Sequence, residues 1–281
     1  MNHPRKKRVG IIGFGKLGQA LYDHFQDPSS NQSYELGFVW NRNPDKLKAY
    51  VPESLILEDL ENFDQYVPDL IVEVCHPNIT HQYGESFLQK AAYFVGSPTA
   101  FARPQTYEAL TNLTNRENGK PLLIPRGALP ANEEISRLAE QGLVHKASIA
   151  MVKHPSSLRF KGNTPELKPS DGPHSLYDGP LDKLCELAPN NVNTMAALGL
   201  ACGKPLSNIH ASLVADASLK HHLIDITLPG PPQNDGTEPF ELSIHRKSPA
   251  PPGAVTSKAT VASFIHSVLR APTSGPGLRL C

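Results

Sequence analysis

No stretch of this 281-residue chain stays apolar for the ~18–20 residues that a membrane-spanning helix needs. Charge of one sign is also lacking. Basic and acidic residues number 27 each, so no net field draws the chain to nucleic acid or to an anionic membrane. The short basic run Arg5-Lys6-Lys7-Arg8 is expected as a solvated lead-in to the first strand. Cysteine is scarce and scattered. The four residues Cys75, Cys185, Cys202 and Cys281 show no C-x-x-C spacing, which argues against a zinc site and a disulfide framework and for a reducing compartment. The closing Leu278-Arg279-Leu280-Cys281 is not a prenylation box. No charged-then-apolar leader is recognisable, so a cytoplasmic protein without metal, nucleic-acid or membrane partners is expected. Proline, by contrast, is plentiful at 27 and clusters at 155–189 and 229–252, marking loops and strand edges.

The most informative segment present is Arg8 to Tyr22, RVGIIGFGKLGQALY. Val9 to Ile12 is a short apolar run of the kind found in buried parallel strands. Gly13, Gly15 and Gly18 follow at G-x-G-x-x-G spacing, and Leu17, Ala20, Leu21 and Phe25 then recur at helical spacing. The first glycine permits a tight turn, the second lets a pyrophosphate approach the backbone, and the third lets the helix pack closely on the strand. The N–H groups and positive dipole end of that helix then face the phosphates. Gly13, Gly15, Lys16, Leu17 and Gly18 are therefore the expected dinucleotide-binding residues.

Strands and helices alternate through the first half. Strands are expected at Leu36–Trp40, Leu70–Val74, Tyr93–Gly96 and Leu122–Ile124, with helices near Thr80–Ala92 and Thr106–Asn112. That order predicts an α/β fold beginning with a Rossmann-type, doubly wound parallel sheet. An NAD site usually places an Asp or Glu after the second strand, on the ribose hydroxyls. Here that place holds Asn41, followed by Arg42. Asn does not repel a 2′-phosphate, and Arg can pair with one, so NADP(H) is favoured and NAD(H) stays possible.

The second half changes period. Lys146–Lys153, Ile209–Ala215, His222–Leu228 and Phe240–His245 alternate in whole or in part, predicting an α+β domain on a mixed or antiparallel sheet with one open face. Such a face suits a homodimer contact. Helices are expected at Asn191–Cys202 and Val255–Leu269. The resulting division is a nucleotide domain over 1–125, a substrate domain over 126–254, a helix over 255–272 packing back on the first domain, and a mobile tail over 273–281. Hydride transfer needs one acid/base group, for which histidine is suited, but twelve histidines are present. His221 and His222 open a strand and point to opposite faces, so one of them can face a cleft.

The chain also resembles the L-aspartate dehydrogenase family, in its animal aspartate-dehydrogenase-domain-containing branch. The resemblance runs along nearly the whole chain: Gly13 to Gly18, Glu73-Val74-Cys75-His76-Pro77, Gly96 to Phe101, Ile124 to Leu129, Tyr177 to Pro180, Ala188 to Asn193, Val214 to Asp216 and His222 to Ile226. It implies an NAD(P)-dependent oxidative deamination of L-aspartate, through iminosuccinate, to oxaloacetate and ammonia. It also implies that His222 is the active-site histidine. Ala128 and Asn193 would lie near the nicotinamide half of the cofactor, with Asn191 as the alternative to Asn193. A dicarboxylate substrate needs cations, and Arg126, Lys153 and Arg159 are the candidates. Departures from the family pattern are Arg126 for a small polar residue, Leu223 for a Glu, and Pro252-Gly253-Ala254-Val255-Thr256-Ser257 leading into the last helix. Two further functions stay open: a dinucleotide-binding sensor, and a dehydrogenase for another small amino or hydroxy acid. The Lys-Pro pair expected of sugar dehydrogenases is replaced by Ser97-Pro98.

Overall fold

The computed structural model describes residues 5–27 and 33–281. In chain order the strands are β1 (Lys7–Ile12), β2 (Tyr34–Trp40), β3 (Ile56–Leu57), β4 (Leu70–Glu73), β5 (Ala92–Val95), β6 (Leu122–Ile124), β7 (Ala147–Lys153), β8 (His174–Pro180), β9 (Ile209–Ala215), β10 (His221–Pro229), β11 (Glu241–Pro249) and β12 (Leu278–Leu280). The α-helices are α1 (Lys16–Gln26), α2 (Asp45–Lys48), α3 (Pro77–Lys90), α4 (Pro104–Thr114), α5 (Asn132–Glu140), α6 (Leu181–Leu187), α7 (Asn193–Ala201) and α8 (Lys258–Leu269). The chain divides into two units. One runs to Ala100 and adds Gln105–Pro125 and Phe264–Cys281; the other is Phe101–Pro104 with Arg126–Ser263.

In the first unit seven strands lie in the order β12-β6-β5-β4-β1-β2-β3, all neighbours parallel. The strands are short apolar runs because both faces of such a sheet are covered. The order reverses between β1 and β4, and ligands of doubly wound sheets sit beyond the carboxyl ends of the strands at such a switch. The core gathers Val9 and Ile11 of β1, Val72 of β4 and Phe94 of β5 with Leu21 and Phe25 of α1. Phe264, Val268 and Ala271 complete it, with Phe264 edge-on to Phe94. The Tyr34 hydroxyl donates to the Leu269 carbonyl at 3.2 Å.

The tail over 273–281, expected to be mobile, contains a strand, β12. Leu278, Arg279 and Leu280 pair in parallel with Leu122, Leu123 and Ile124, extending the sheet beyond β6. The Cys281 N–H donates to the Ile124 carbonyl at 2.9 Å, and the Ser267 hydroxyl donates to the Cys281 carbonyl at 2.7 Å. The backbone donors and acceptors along the free edge of β6 are what the tail satisfies.

The second unit holds a five-stranded mixed sheet, ordered β11-β10-β7-β9-β8, with only β7 and β9 parallel. Alternation puts Ile149, Met151, Ala211, Leu213, Ile224 and Ile226 on the buried face. Ala150, Val152, Leu223 and Asp225 stand half-exposed on the other. Among the described residues no helix is long and apolar enough to cross a membrane. Among the described residues no disulfide joins the four cysteines.

Candidate functional site

The glycine loop in the first unit is built as its spacing requires. Gly13 sits at φ +108°, and its N–H donates to the Trp40 carbonyl at 2.8 Å, locking the turn to the end of β2. A methyl group on Gly18 would lie 2.0 Å from the Gly13 carbonyl oxygen, so only glycine lets α1 start this close to the turn. A methyl on Gly15 would meet nothing within 4 Å. The space in front of it is open, where a phosphate needs room. No side chain caps α1, and its first turn carries no acid. Its free donors and positive dipole end are thus available to an anion. Lys16 and Arg42 are exposed, and among the described residues neither has an ion pair; Leu17 is half-buried. These features fit a dinucleotide. Gly15→Ala is expected to leave the melting temperature unchanged while abolishing dinucleotide affinity. Gly18→Ala is expected to destabilise the fold by about 1–3 kcal/mol, as overpacking does. Thermal denaturation with a parallel NADPH titration checks both.

No carboxylate stands at the end of β2. The Asn41 amide is turned inward instead. Its Oδ1 accepts from the Phe14 N–H at 3.3 Å, and its Nδ2 donates to the Asn43 carbonyl at 2.8 Å. Asn41 therefore braces the glycine loop, and Arg42 is the side chain left facing solvent.

Sequence reasoning quoted Glu73 only as part of a motif. It is the last residue of β4, 0% exposed, and it ties together the loops leaving β4 and β5. Its Oε1 accepts from Cys75 N at 2.6 Å, from His76 N at 2.8 Å and from the Ser97 hydroxyl at 3.0 Å. Its Oε2 accepts from Ser97 N at 2.9 Å. The signal that could have found it is an ionisable residue inside the otherwise apolar strand LIVEV.

In the second unit, the β7–β10 register pairs Val152 with Leu223, which makes Lys153 and His222 the next cross-strand neighbours on the buried face. His222 is 7% exposed and its Nε2 has no hydrogen-bond partner among the described residues. Burial first, then the Lys153 charge and His221, push its pKa down to about 4, against a backbone hydrogen bond at Ala254. The imidazole is therefore neutral at physiological pH. Lys153 is 5% exposed, and burial pushes it down to about 8. Its Nζ reaches the Asn191 carbonyl at 3.4 Å, but no ion pair of the described residues neutralises it. A buried cation without a counter-ion is costly. It is an arrangement that a bound anion would complete.

The other expected residues are placed differently. Arg126 is half-exposed and ion-paired to Glu133 of α5 at 2.8 Å. Arg159 is exposed, and its backbone N–H donates to Asn191 Oδ1 at 2.7 Å. Asn191 is 4% exposed and spends its amide on that bond and on the Ser157 carbonyl at 3.0 Å, holding the loop over 157–159. It does not cap α7. Asn193 opens α7 and is half-buried. Ala128 follows Gly127 (φ +57°), and its carbonyl accepts from Arg246 Nη1. Among the described residues no group of three or more His, Cys, Asp or Glu is gathered around a metal-sized point.

Comparison with known proteins gives consistent matches. Residues 134–270 match the family model described as aspartate dehydrogenase, C-terminal, and residues 13–125 match the homoserine dehydrogenase NAD-binding domain. The chain is 40% identical to the aspartate dehydrogenase domain-containing protein of Danio rerio, over 98% of each chain. It is 39% identical to that of Xenopus tropicalis, over 100% of each. The solved aspartate dehydrogenase of Thermotoga maritima superposes with a TM-score of 0.65 at 20% identity, covering 95% of each chain, and this likeness concerns the fold.

Proposed function

The chain belongs to the aspartate dehydrogenase family, and from that premise we propose that it catalyses the reversible, NAD(P)-dependent oxidative deamination of L-aspartate to oxaloacetate and ammonia. Family and fold are those of an NAD(P)-dependent dehydrogenase. The observation that carries the substrate is the pairing, in one unit, of a neutral buried imidazole and a buried lysine that, among the described residues, have no partner at Nε2 and no counter-ion.

Gly13, Gly15, Lys16, Leu17 and Gly18 would hold the dinucleotide phosphates, with Asn41 and Arg42 beside the adenosine ribose and Ala128 and Asn193 toward the nicotinamide. When bound, the dinucleotide supplies the hydride acceptor for oxidation of the amine-bearing carbon. The chain's own residues do the rest. The Lys153 ammonium pairs with a substrate carboxylate, and burial strengthens that pairing by excluding water. His222 Nε2 takes a proton from the substrate ammonium, freeing the amine that becomes the imine of iminosuccinate. Once that proton has passed to solvent, Nε2 accepts a proton from the water that adds to this imine and returns it to the carbinolamine nitrogen, so that ammonia leaves as the carbonyl of oxaloacetate forms. Arg126 and Arg159 are the further candidates for the second carboxylate.

Arg42 and the missing acid after β2 favour NADP(H). Arg42→Ala is expected to weaken NADPH roughly tenfold or more, the value of a charged hydrogen bond, and to leave NADH within about twofold. Equal losses for both cofactors would remove Arg42 from 2′-phosphate recognition. The half-exposed outer face of the β7–β11 sheet is the surface for a homodimer, tested by light scattering. Four cysteines without a disulfide among the described residues suit a cytoplasmic location. The direct test of the activity is nicotinamide reduction with L-aspartate and NADP+, with D-aspartate and L-glutamate as controls. Equal turnover of all three would exclude a site shaped for L-aspartate.

A further inference from the structure

Glu73 is a fully buried carboxyl group that the catalytic scheme leaves unused. It stands at the carboxyl end of β4, between Ile12 of β1 and Val95 of β5 in the sheet. The loop it holds lies directly against the glycine turn. A methyl on Gly13 would sit 2.9 Å from both Cys75 Cβ and the Val74 carbonyl oxygen, and one on Gly18 would sit 3.5 Å from Val74 Cγ2. A methyl on Gly96 would lie 2.2 Å from the Glu73 carbonyl oxygen, so the β5 loop is as closely fitted. One carboxylate thus accepts three backbone N–H groups from two loops at the sheet's ligand-facing edge. No cation is ion-paired with it among the described residues.

We propose that Glu73 is a positioning residue of the dinucleotide site, whose ionised carboxylate holds the loops after β4 and β5 in the shape that receives the cofactor, so that protonating it weakens dinucleotide binding. The proposal rests on the dinucleotide reading of the glycine loop. Protonation turns one acceptor oxygen into a donor facing N–H groups, and leaves a buried N–H without its partner. Burial pushes the carboxyl up to about 7, against the hydrogen bonds from Cys75, Ser97 and His76 that pull it down. The loops therefore loosen as pH falls through that value. The neighbouring titratable groups are the Cys75 thiol, pushed up by burial and then by Glu73 and drawn down by Arg42, and the Tyr93 hydroxyl of β5, pushed well up by burial and then by Glu73. His76, half-buried at the start of α3, is the other one; its Nδ1 accepts from Asn78 N at 3.2 Å.

The test is the affinity of the full chain for NADH, measured by fluorescence across a pH range centred on about 7. NADH lacks the 2′-phosphate, which would titrate nearby. Affinity is expected to fall roughly tenfold on the acid side, the size of effect expected when one buried N–H loses its acceptor. Glu73→Gln, whose amide presents N–H to N–H, is expected to bind weakly at every pH and to lack the step. Ser97→Ala removes one hydrogen bond to the carboxylate and is expected to move the midpoint upward. His76→Asn, which keeps a helix cap, is expected to keep the step. A wild type without the step, a step surviving in Glu73→Gln, or a step lost in His76→Asn would overturn the proposal. If Glu73→Gln does not fold, an unmoved midpoint in Ser97→Ala overturns it. NADH that binds without a step refutes the role of Glu73 alone, whereas NADH that binds at no pH refutes the dinucleotide reading and this proposal with it.

Discussion

Replacing His222 with alanine is expected to lower kcat by ~10²–10⁴-fold, the contribution of a positioned acid/base group, with a much smaller change in KM. The expectation comes from its surroundings. Nε2 is buried without a partner among the described residues, and burial together with Lys153 holds the free-enzyme pKa at about 4. The imidazole is therefore ready to accept a proton at neutral pH. A bound dicarboxylate brings negative charge beside it, which raises its pKa and strengthens it as a base when substrate is present. The same shift has a stability consequence. Because the folded pKa lies below the ordinary histidine value of 6.5, stability is full above that value and declines as pH falls from there toward about 4. His222→Ala should flatten that decline. A variant that keeps near-normal kcat would remove His222 from the chemistry.

Lys153→Met is expected to weaken the binding of succinate, a non-reactive dicarboxylate, by about 2 kcal/mol or more, on the order of 30-fold. Stability should move the other way. The variant removes a buried cation that has no counter-ion among the described residues, so its melting temperature should hold or rise. A role in folding alone would lower the melting temperature instead. The wild type carries a pH signature as well. With the ammonium held near pKa 8, succinate affinity should fall as pH rises through about 8. Lys153→Arg should bind beyond that pH, since a guanidinium stays charged. Unchanged succinate affinity in Lys153→Met would assign the carboxylate to another group.

The parts of the fold legible in the sequence were those with local signals. The run Val9–Ile12 with its glycines announced β1 and α1, and the alternation of Ile209–Ala215 gave β9 its observed limits. β8 was missed because His174–Pro180 carries Gly179 and Pro180 and sits at a sheet edge with little burial to impose alternation. β12 was missed because three residues after a Gly- and Pro-containing stretch have no period to read, and their pairing with β6 spans more than 150 positions. The site divides in the same way. His222 came from family resemblance, while Lys153 was one cation among three. Its place beside His222 depends on the register of β7 against β10, about 70 residues apart, which no local pattern encodes. Arg126 lost its standing as an unengaged cation to Glu133, seven positions on. Glu73 was invisible as a role because its four hydrogen bonds come from loops that meet only in the folded sheet.

The most direct test of the central claim is a fluorescence titration of NADPH into the pure protein, followed by oxaloacetate and ammonium in the same cuvette. The account predicts saturable NADPH binding and then loss of the nicotinamide signal only when both reactants are present. NADPH that stays bound and reduced in the presence of both would contradict it, and would make the chain a dinucleotide-binding protein without aspartate dehydrogenase activity.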